Sequence, residues 1–327
     1  MKRFFVPFIF FLVSSSLYPQ NPEWINYIPS NSGLPDNTAL SIAIDGLGIK
    51  WIGTTLGLAK FDGTTWTVYD TSNSGLPEDH VLSIAIDGSG NKWIGTGEGF
   101  AKFDGANWTV YNTSNSGLPD NNVQSITIDT LGNKWLGTWG GGLAKFDGTT
   151  WSVFAASDSG LPGNFVKPIA IDSLGKKWIG TDDGGLAKFD DTTWTVYTAS
   201  EPGLHNGIHS IAIDDLGNKW IGTDDGGLAK FADTTWTVYT TSNSGLPHDN
   251  VHSIAIDDSG NKWIGTNEGL AKYDGTTWTV YTTSNSGLTD NYVLSIKIDA
   301  FGNKWIGTYE GGVAVYKEAG GVLDKGR

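Results

Sequence analysis

The sequence predicts an all-β protein, a seven-bladed β-propeller of four-stranded antiparallel blades, and three observations carry that prediction. One tryptophan recurs as Trp51, Trp93, Trp135, Trp178, Trp220, Trp263 and Trp305, at intervals of 42, 42, 43, 42, 43 and 42 residues. A second series, in phrases such as Thr-Trp-Thr-Val-Tyr, runs Trp24, Trp66, Trp108, Trp151, Trp194, Trp236 and Trp278. Between these markers each repeat holds short alternating runs divided by Gly- and Asp-rich turns. Repeats of about 40–45 residues with several strands each make one propeller blade apiece. The two series use fourteen of the fifteen tryptophans, and the remaining one is Trp139.

Blade two shows the elements in order. Val81 to Asp87 alternates and is rich in β-branched residues, which predicts strand one. Gly88-Ser89-Gly90 turns the chain into strand two, Asn91 to Thr96, and Gly97-Glu98-Gly99 turns it into strand three, Phe100 to Phe103. Asp104-Gly105-Ala106 is a hairpin turn into strand four, Asn107 to Thr113. A longer connection through Ser116-Gly117-Leu118-Pro119 leads to the next blade. Small Ser83 and Ala85 place strand one at the crowded axis, and the threonines and aromatics of strand four suit the rim. The phase of the repeat fixes the closure. A strand-four phrase, Trp24 to Tyr27, comes before any strand one, and the last strand three, Val313 to Tyr316, has no strand four after it. The N-terminal strand is therefore expected to complete the last blade, which removes exposed sheet edges.

Residues 1–20 are of another kind. Lys2 and Arg3, an apolar run from Phe4 to Val13 and the small residues Ser14 to Ser16 have the layout of a secretory signal peptide. About ten apolar residues are too few to span a bilayer. The expected organisation is a signal peptide (1–20), the propeller (21–317) and a short tail (318–327). The chain has no cysteine, so neither a disulfide framework nor a lipid anchor on cysteine is available. No later segment is apolar enough for membrane insertion. The expectation is a periplasmic or secreted monomer.

The formal charge is −14, from 21 Lys+Arg against 35 Asp+Glu. A nucleic-acid partner needs a cationic face to displace phosphate counterions, and this balance excludes one. Polyanionic ligands are disfavoured on the same ground.

The phrases Gly-Leu-Pro-Asp-Asn, Ser-Ile-Ala-Ile-Asp, Gly-Asn-Lys-Trp-Ile-Gly-Thr, Gly-Gly-Leu-Ala-Lys-Phe-Asp-Gly and Thr-Thr-Trp-Thr-Val-Tyr resemble the two-component regulator propeller repeat. The resemblance runs from residue 24 to about 317. It implies the ligand-sensing module of bacterial hybrid sensor kinases, many of which respond to glycans. This chain has neither kinase nor transmembrane segment, so only the sensing module is expected. The shared letters are turn and core residues, so the resemblance speaks to fold more than to function.

Strand order puts the four-to-one and two-to-three connections on one face, the top, and the other turns on the bottom. Bottom turns barely vary, and their Asp, Asn and Gly residues are hairpin chemistry. They lack the spaced oxygen ligands of a calcium loop, and neither a metal nor a cofactor is expected. Variation collects on top. The residue before the strand-one serine, or before its counterpart Pro168 in blade four, reads Leu40, Leu82, Gln124, Lys167, His209, His252 and Leu294. Blades three to six thus carry hydrogen-bonding side chains beside acidic loops. The candidate ligand site is this top mouth of the channel. Trp139 would be a stacking platform, Asp182, Asp183, Asp224 and Asp225 would accept sugar hydroxyls, and Gln124, Lys167, His209 and His252 would form the floor. An aromatic face beside fixed donors and acceptors suits a glycan or another neutral small ligand.

Two alternatives stand beside a non-catalytic ligand binder. One is a protein-interaction or cell-surface scaffold, whose top loops grip a polypeptide partner. The other is a lyase that resembles propeller enzymes acting on cyclic peptide antibiotics, which use a histidine base, acidic residues and magnesium. The lyase requires His209 or His252 within hydrogen-bonding reach of an acidic pair. No Gly-x-Ser-x-Gly elbow, His-Glu-x-x-His motif or phosphate loop supports other chemistry.

Overall fold

The computed structural model describes residues 23–205 and 207–318; the expected signal peptide and the tail beyond Glu318 lie outside the described residues. Twenty-eight strands form seven four-stranded antiparallel sheets, with no helix among the described residues. Blade two is β6 (Val81–Ile86), β7 (Lys92–Thr96), β8 (Gly99–Phe103) and β9 (Trp108–Tyr111), in that spatial order. These strands agree with the expected ones to within two residues at each end.

The strand-one elements pack against one another around the axis. They run β2 (Ala39–Ile44), β6, β10 (Val123–Ile128), β14 (Val166–Ile171), β18 (Ile208–Ile213), β22 (Val251–Ile256) and β26 (Val293–Ile298), and β26 packs back on β2. The ring closes as the repeat phase requires. β1 (Glu23–Tyr27) pairs antiparallel with β28 (Val313–Lys317), with Trp24 opposite Tyr316 and Ile25 opposite Val315. Lys317 Nζ donates to Glu23 Oε2 at 2.7 Å across the seam.

The recurrent strand-two tryptophans hold the blades together. All seven are at most 3% exposed. Each indole N–H donates to the aspartate that opens its own bottom turn, from Trp93 to Asp87 Oδ2 at 2.9 Å to Trp51 to Asp45 Oδ2 at 3.2 Å. The same carboxylates accept the turn's backbone N–H groups, as Asp87 does from Ser89 and Asn91. The bottom aspartates are thus occupied by turn and core duties. Over each ring lies the lysine of the next blade's Lys-Trp pair, at 4.4 Å for Lys134 over Trp93 and 5.0 Å for Lys50 over Trp305 at the seam. Such contacts contribute about 0.5–2 kcal/mol each, the upper figure where the cation is desolvated. Lys50 and Lys304 are 1% exposed.

The long connections are pinned from outside. A leucine in each, such as Leu76 or Leu118, is buried between blades. The glycine before Leu76 lies so close to the strand-four tryptophan that a Cβ on Gly75 would come 2.3 Å from Trp108 Cβ. Both repeated phrases therefore build blades, and residues that differ among blades remain for function.

Candidate functional site

The top loops are tied down by their backbones before any side chain is considered. Trp139 N–H donates to Asn122 O at 3.0 Å, Asp182 N–H to Phe165 O at 2.9 Å, and Asp224 N–H to Gly207 O at 2.9 Å. Each bond joins the two-to-three loop of a blade to the connection that enters the same blade. Gly140 and Gly142 N–H both donate to Asn164 O of the following connection at 3.1 Å. Gly140 sits at φ 136°, a conformation that suits glycine, which lets the loop turn beside Trp139.

Around the mouth runs one chain of contacts. Trp139 meets Phe165 edge-on, with centroids 5.0 Å apart. Lys167 Nζ lies 5.0 Å from the Trp139 ring centre and donates to Asp182 Oδ1 at 2.7 Å. His209 Nε2 is 4.0 Å from the same Asp182 oxygen, too far for a hydrogen bond, and this buried nitrogen has no partner among the described residues. The His209 and His252 rings are 5.4 Å apart, and His252 Nε2 bonds to Asn267 Oδ1. Beyond His252, Tyr292 and Tyr309 continue the series, with centroids 4.9 Å and 5.4 Å apart in turn.

Burial first, then the Lys167 ammonium and the neighbouring His252, push the His209 pKa down to about 4. Burial likewise lowers that of His252, opposed by its bond to Asn267. Both imidazoles are therefore neutral at pH 7, each able to offer one donor and one acceptor. Lys167 and Asp182 offset each other's charge.

The sequence-predicted residues fall into two groups. Trp139, Lys167, Asp182, His209 and His252 are brought together in that chain. Gln124 turns to its own connection, with Nε2 donating to Asn122 Oδ1 at 2.6 Å. Asp183 packs its carboxylate over Gly163 of the connection entering its blade. Asp224 accepts Asn250 Nδ2 at 2.5 Å and stays close enough to His209 and His252 that its charge opposes the lowering of both their pKa values, whereas Asp225 is exposed at φ 58°. Trp139 is 36% exposed and does have packing contacts, with Phe165 and the Lys167 head. Its platform is therefore part-covered. Sequence reasoning did not select Phe165, Tyr292, Tyr309, Asn250 or Asn267. Phe165, Tyr292 and Asn250 share one variable repeat position, and a search for aromatics there finds the first two.

Neither histidine is within hydrogen-bonding reach of a carboxylate pair, which is the geometry a histidine-base lyase requires. Among the described residues no group of three His, Cys, Asp or Glu is arranged to hold a metal ion.

A family model described as the two component regulator propeller matches residues 245–268. Comparison with curated proteins gives no match. Among solved structures, the extracellular domain of a hybrid two component system from B. thetaiotaomicron superposes with a TM-score of 0.76 at 27% identity, over 90% of this chain and 41% of that one. PorZ, a bacterial surface component of the type-IX secretion system of Porphyromonas gingivalis, gives 0.72 at 21% identity, over 87% and 47%. Virginiamycin B lyase from Staphylococcus aureus gives 0.72 at 13% identity, over 93% and 99%. At such identities the last two show a common fold alone. The chain spans about two fifths of the length of the two component system structures it matches. No helix among the described residues is long and apolar enough to cross a membrane. The chain is a seven-bladed propeller that carries a two component regulator propeller repeat and resembles the extracellular sensor domains of hybrid two component systems.

Proposed function

We propose that this chain is an exported, non-catalytic ligand-binding propeller that takes a neutral glycan at the top mouth of its channel, between blades three and seven. The observation that carries this reading is the half-exposed Trp139 ring beside the Lys167–Asp182 pair and two neutral imidazoles. A sugar presents a C–H face for an indole and a rim of hydroxyls for fixed donors and acceptors. Exposed Asp183, Asp224 and Asp225 at the edge disfavour anionic glycans. The layout of residues 1–20 supports export, and the extracellular placement of the similar domains agrees with it.

The test is a thermal-shift screen of the mature protein with neutral oligosaccharides. At least one should raise the melting temperature, and Trp139→Ala should weaken that sugar by about tenfold. If no sugar shifts melting, or if Trp139→Ala binds the hit as wild type does, the glycan reading fails.

The scaffold reading draws on one observation at the opposite face. Five bottom turns end in exposed apolar side chains, Leu47, Leu131, Leu174, Leu216 and Phe301, where blades two and six have Ser89 and Ser259. Leu174 and Leu216 line one cleft of this face and Leu47 and Phe301 another, and apolar side chains grouped in this way mark a contact surface.

A further inference from the structure

The residue after each Gly-Thr pair sits at the same place on the top face in every blade. It is aromatic in blade three (Trp139) and in blade seven (Tyr309), and a hydrogen-bonding side chain in the blades between them (Asp182, Asp224 and Asn267). In blades one and two it is small, Thr55 and Gly97. Trp139 and Tyr309 stand three blades apart by the short way round a ring of seven, on nearly opposite sides of the mouth. Tyr309 is 47% exposed, more than Trp139.

The two aromatics are built alike. Each rests against a second ring from the same variable position of an entering connection, Phe165 beside Trp139 at 5.0 Å and Tyr292 beside Tyr309 at 5.4 Å. Each is also fixed through its backbone. Trp139 N–H donates to Asn122 O and Tyr309 N–H to Tyr292 O, both at 3.0 Å, and Thr38 Oγ1 donates to Tyr309 O at 2.6 Å. A platform held by its main chain needs little further ordering on binding. Between the platforms the polar groups converge. The Asp224 charge reaches His209, His252 and the Tyr292 hydroxyl, and the Lys167 charge reaches both imidazoles.

Resting on the glycan reading above, we propose that Tyr309 is a second stacking platform, and that the mouth takes linear neutral oligosaccharides of three or more units in preference to mono- and disaccharides. One end unit lies on Trp139 and the other on Tyr309, each through its C–H face. The units between present hydroxyls to the polar residues of blades four to six. Small Thr55 and Gly97 leave the other edge of the chain unobstructed. A short sugar meets one platform at a time. A spanning chain meets both, and its second contact is intramolecular once the first has formed.

The experiment titrates the malto-, cello-, xylo- and manno-oligosaccharide series, from monomer to hexamer, into wild type, Trp139→Ala, Tyr309→Ala and Tyr309→Phe by calorimetry. Alanine at position 309 keeps both backbone bonds, so the loop is retained. In a series that binds, the hexamer should bind wild type at least about tenfold more tightly than the dimer. Tyr309→Ala should remove that gain and leave dimer binding at Trp139 in place, and Tyr309→Phe, which keeps the ring, should retain the gain. A hexamer that binds wild type no better than the dimer overturns the proposal, as does a hexamer gain unchanged in Tyr309→Ala. In either case weakened binding to Trp139→Ala still upholds the glycan reading, whereas no binding by any series overturns both.

Discussion

Replacing Asp129 by alanine removes the acceptor for four donors in blade three. Its carboxylate takes Leu131 N–H at 3.0 Å, Asn133 N–H at 2.9 Å, Asn133 Nδ2 at 2.8 Å and Trp135 Nε1 at 3.0 Å. Leu131 is exposed, so water replaces its partner. Trp135 is 1% exposed and Asn133 8%, and their donors have no such recourse. At about 1–3 kcal/mol for each of the three buried donors left unpaired, the expected loss is about 3–9 kcal/mol. That is a large share of the stability of an ordinary domain. Asp129→Asn keeps one acceptor oxygen and should lose less. The assay is urea unfolding followed by tryptophan fluorescence. An Asp129→Ala protein within about 1 kcal/mol of wild type would refute the reasoning. The same bonds set a pH dependence. Burial acts to raise the Asp129 pKa, yet the hydrogen bonds from Trp135, Asn133 and Leu131 outweigh it and hold it below the usual aspartate value. Asp87, Asp214 and Asp257 behave alike. The folded state then binds fewer protons than the unfolded chain. This stabilisation is complete above about pH 4 and is lost as pH falls below it.

Two further outcomes follow from packing and charge. Gly75→Ala should destabilise by about 1–3 kcal/mol, because the new methyl lands on Trp108. Gly88→Ala should change stability by no more than about 0.5 kcal/mol, since nothing lies within 4 Å of its Cβ position. Equal melting temperatures for the two variants would sink the packing account. For His209, whose pKa falls from 6.5 to about 4, the folded protein stays neutral where the unfolded chain takes up a proton. Stability is therefore full above about pH 6.5 and declines toward pH 4, by about 2 kcal/mol between pH 7 and pH 5. His209→Gln should remove that slope in urea titrations, and an unchanged slope would show that His209 is not its source.

Much of the fold was legible because a repeat states its own phase. Trp24 lies one strand-four interval before Trp66, and that alone placed β1 beside β28. The lysine beside each scaffold tryptophan was not read as a partner of the preceding blade's ring. Its neighbour is some 42 residues away in sequence, and only the packing of adjacent blades brings Lys92 to 4.6 Å from Trp51. At the mouth, variable positions marked Lys167, Asp182, His209 and His252 individually. Their connection could not be read, because it depends on side-chain reach between blades. Trp139 shows the limit most clearly. Its lack of a repeat counterpart was visible, but not that Lys167 from the following blade would cover part of its face.

The most direct test of the glycan site is to watch the fifteen indole N–H signals by NMR while the sugar hit is added. Fourteen belong to the two scaffold series and are buried or interlocked between blades, and one belongs to Trp139, identified with Trp139→Phe. The Trp139 signal should move with the sugar concentration while the scaffold signals hold still. Movement confined to scaffold indoles, or a saturating sugar that leaves Trp139 unmoved, would contradict a site at the top mouth.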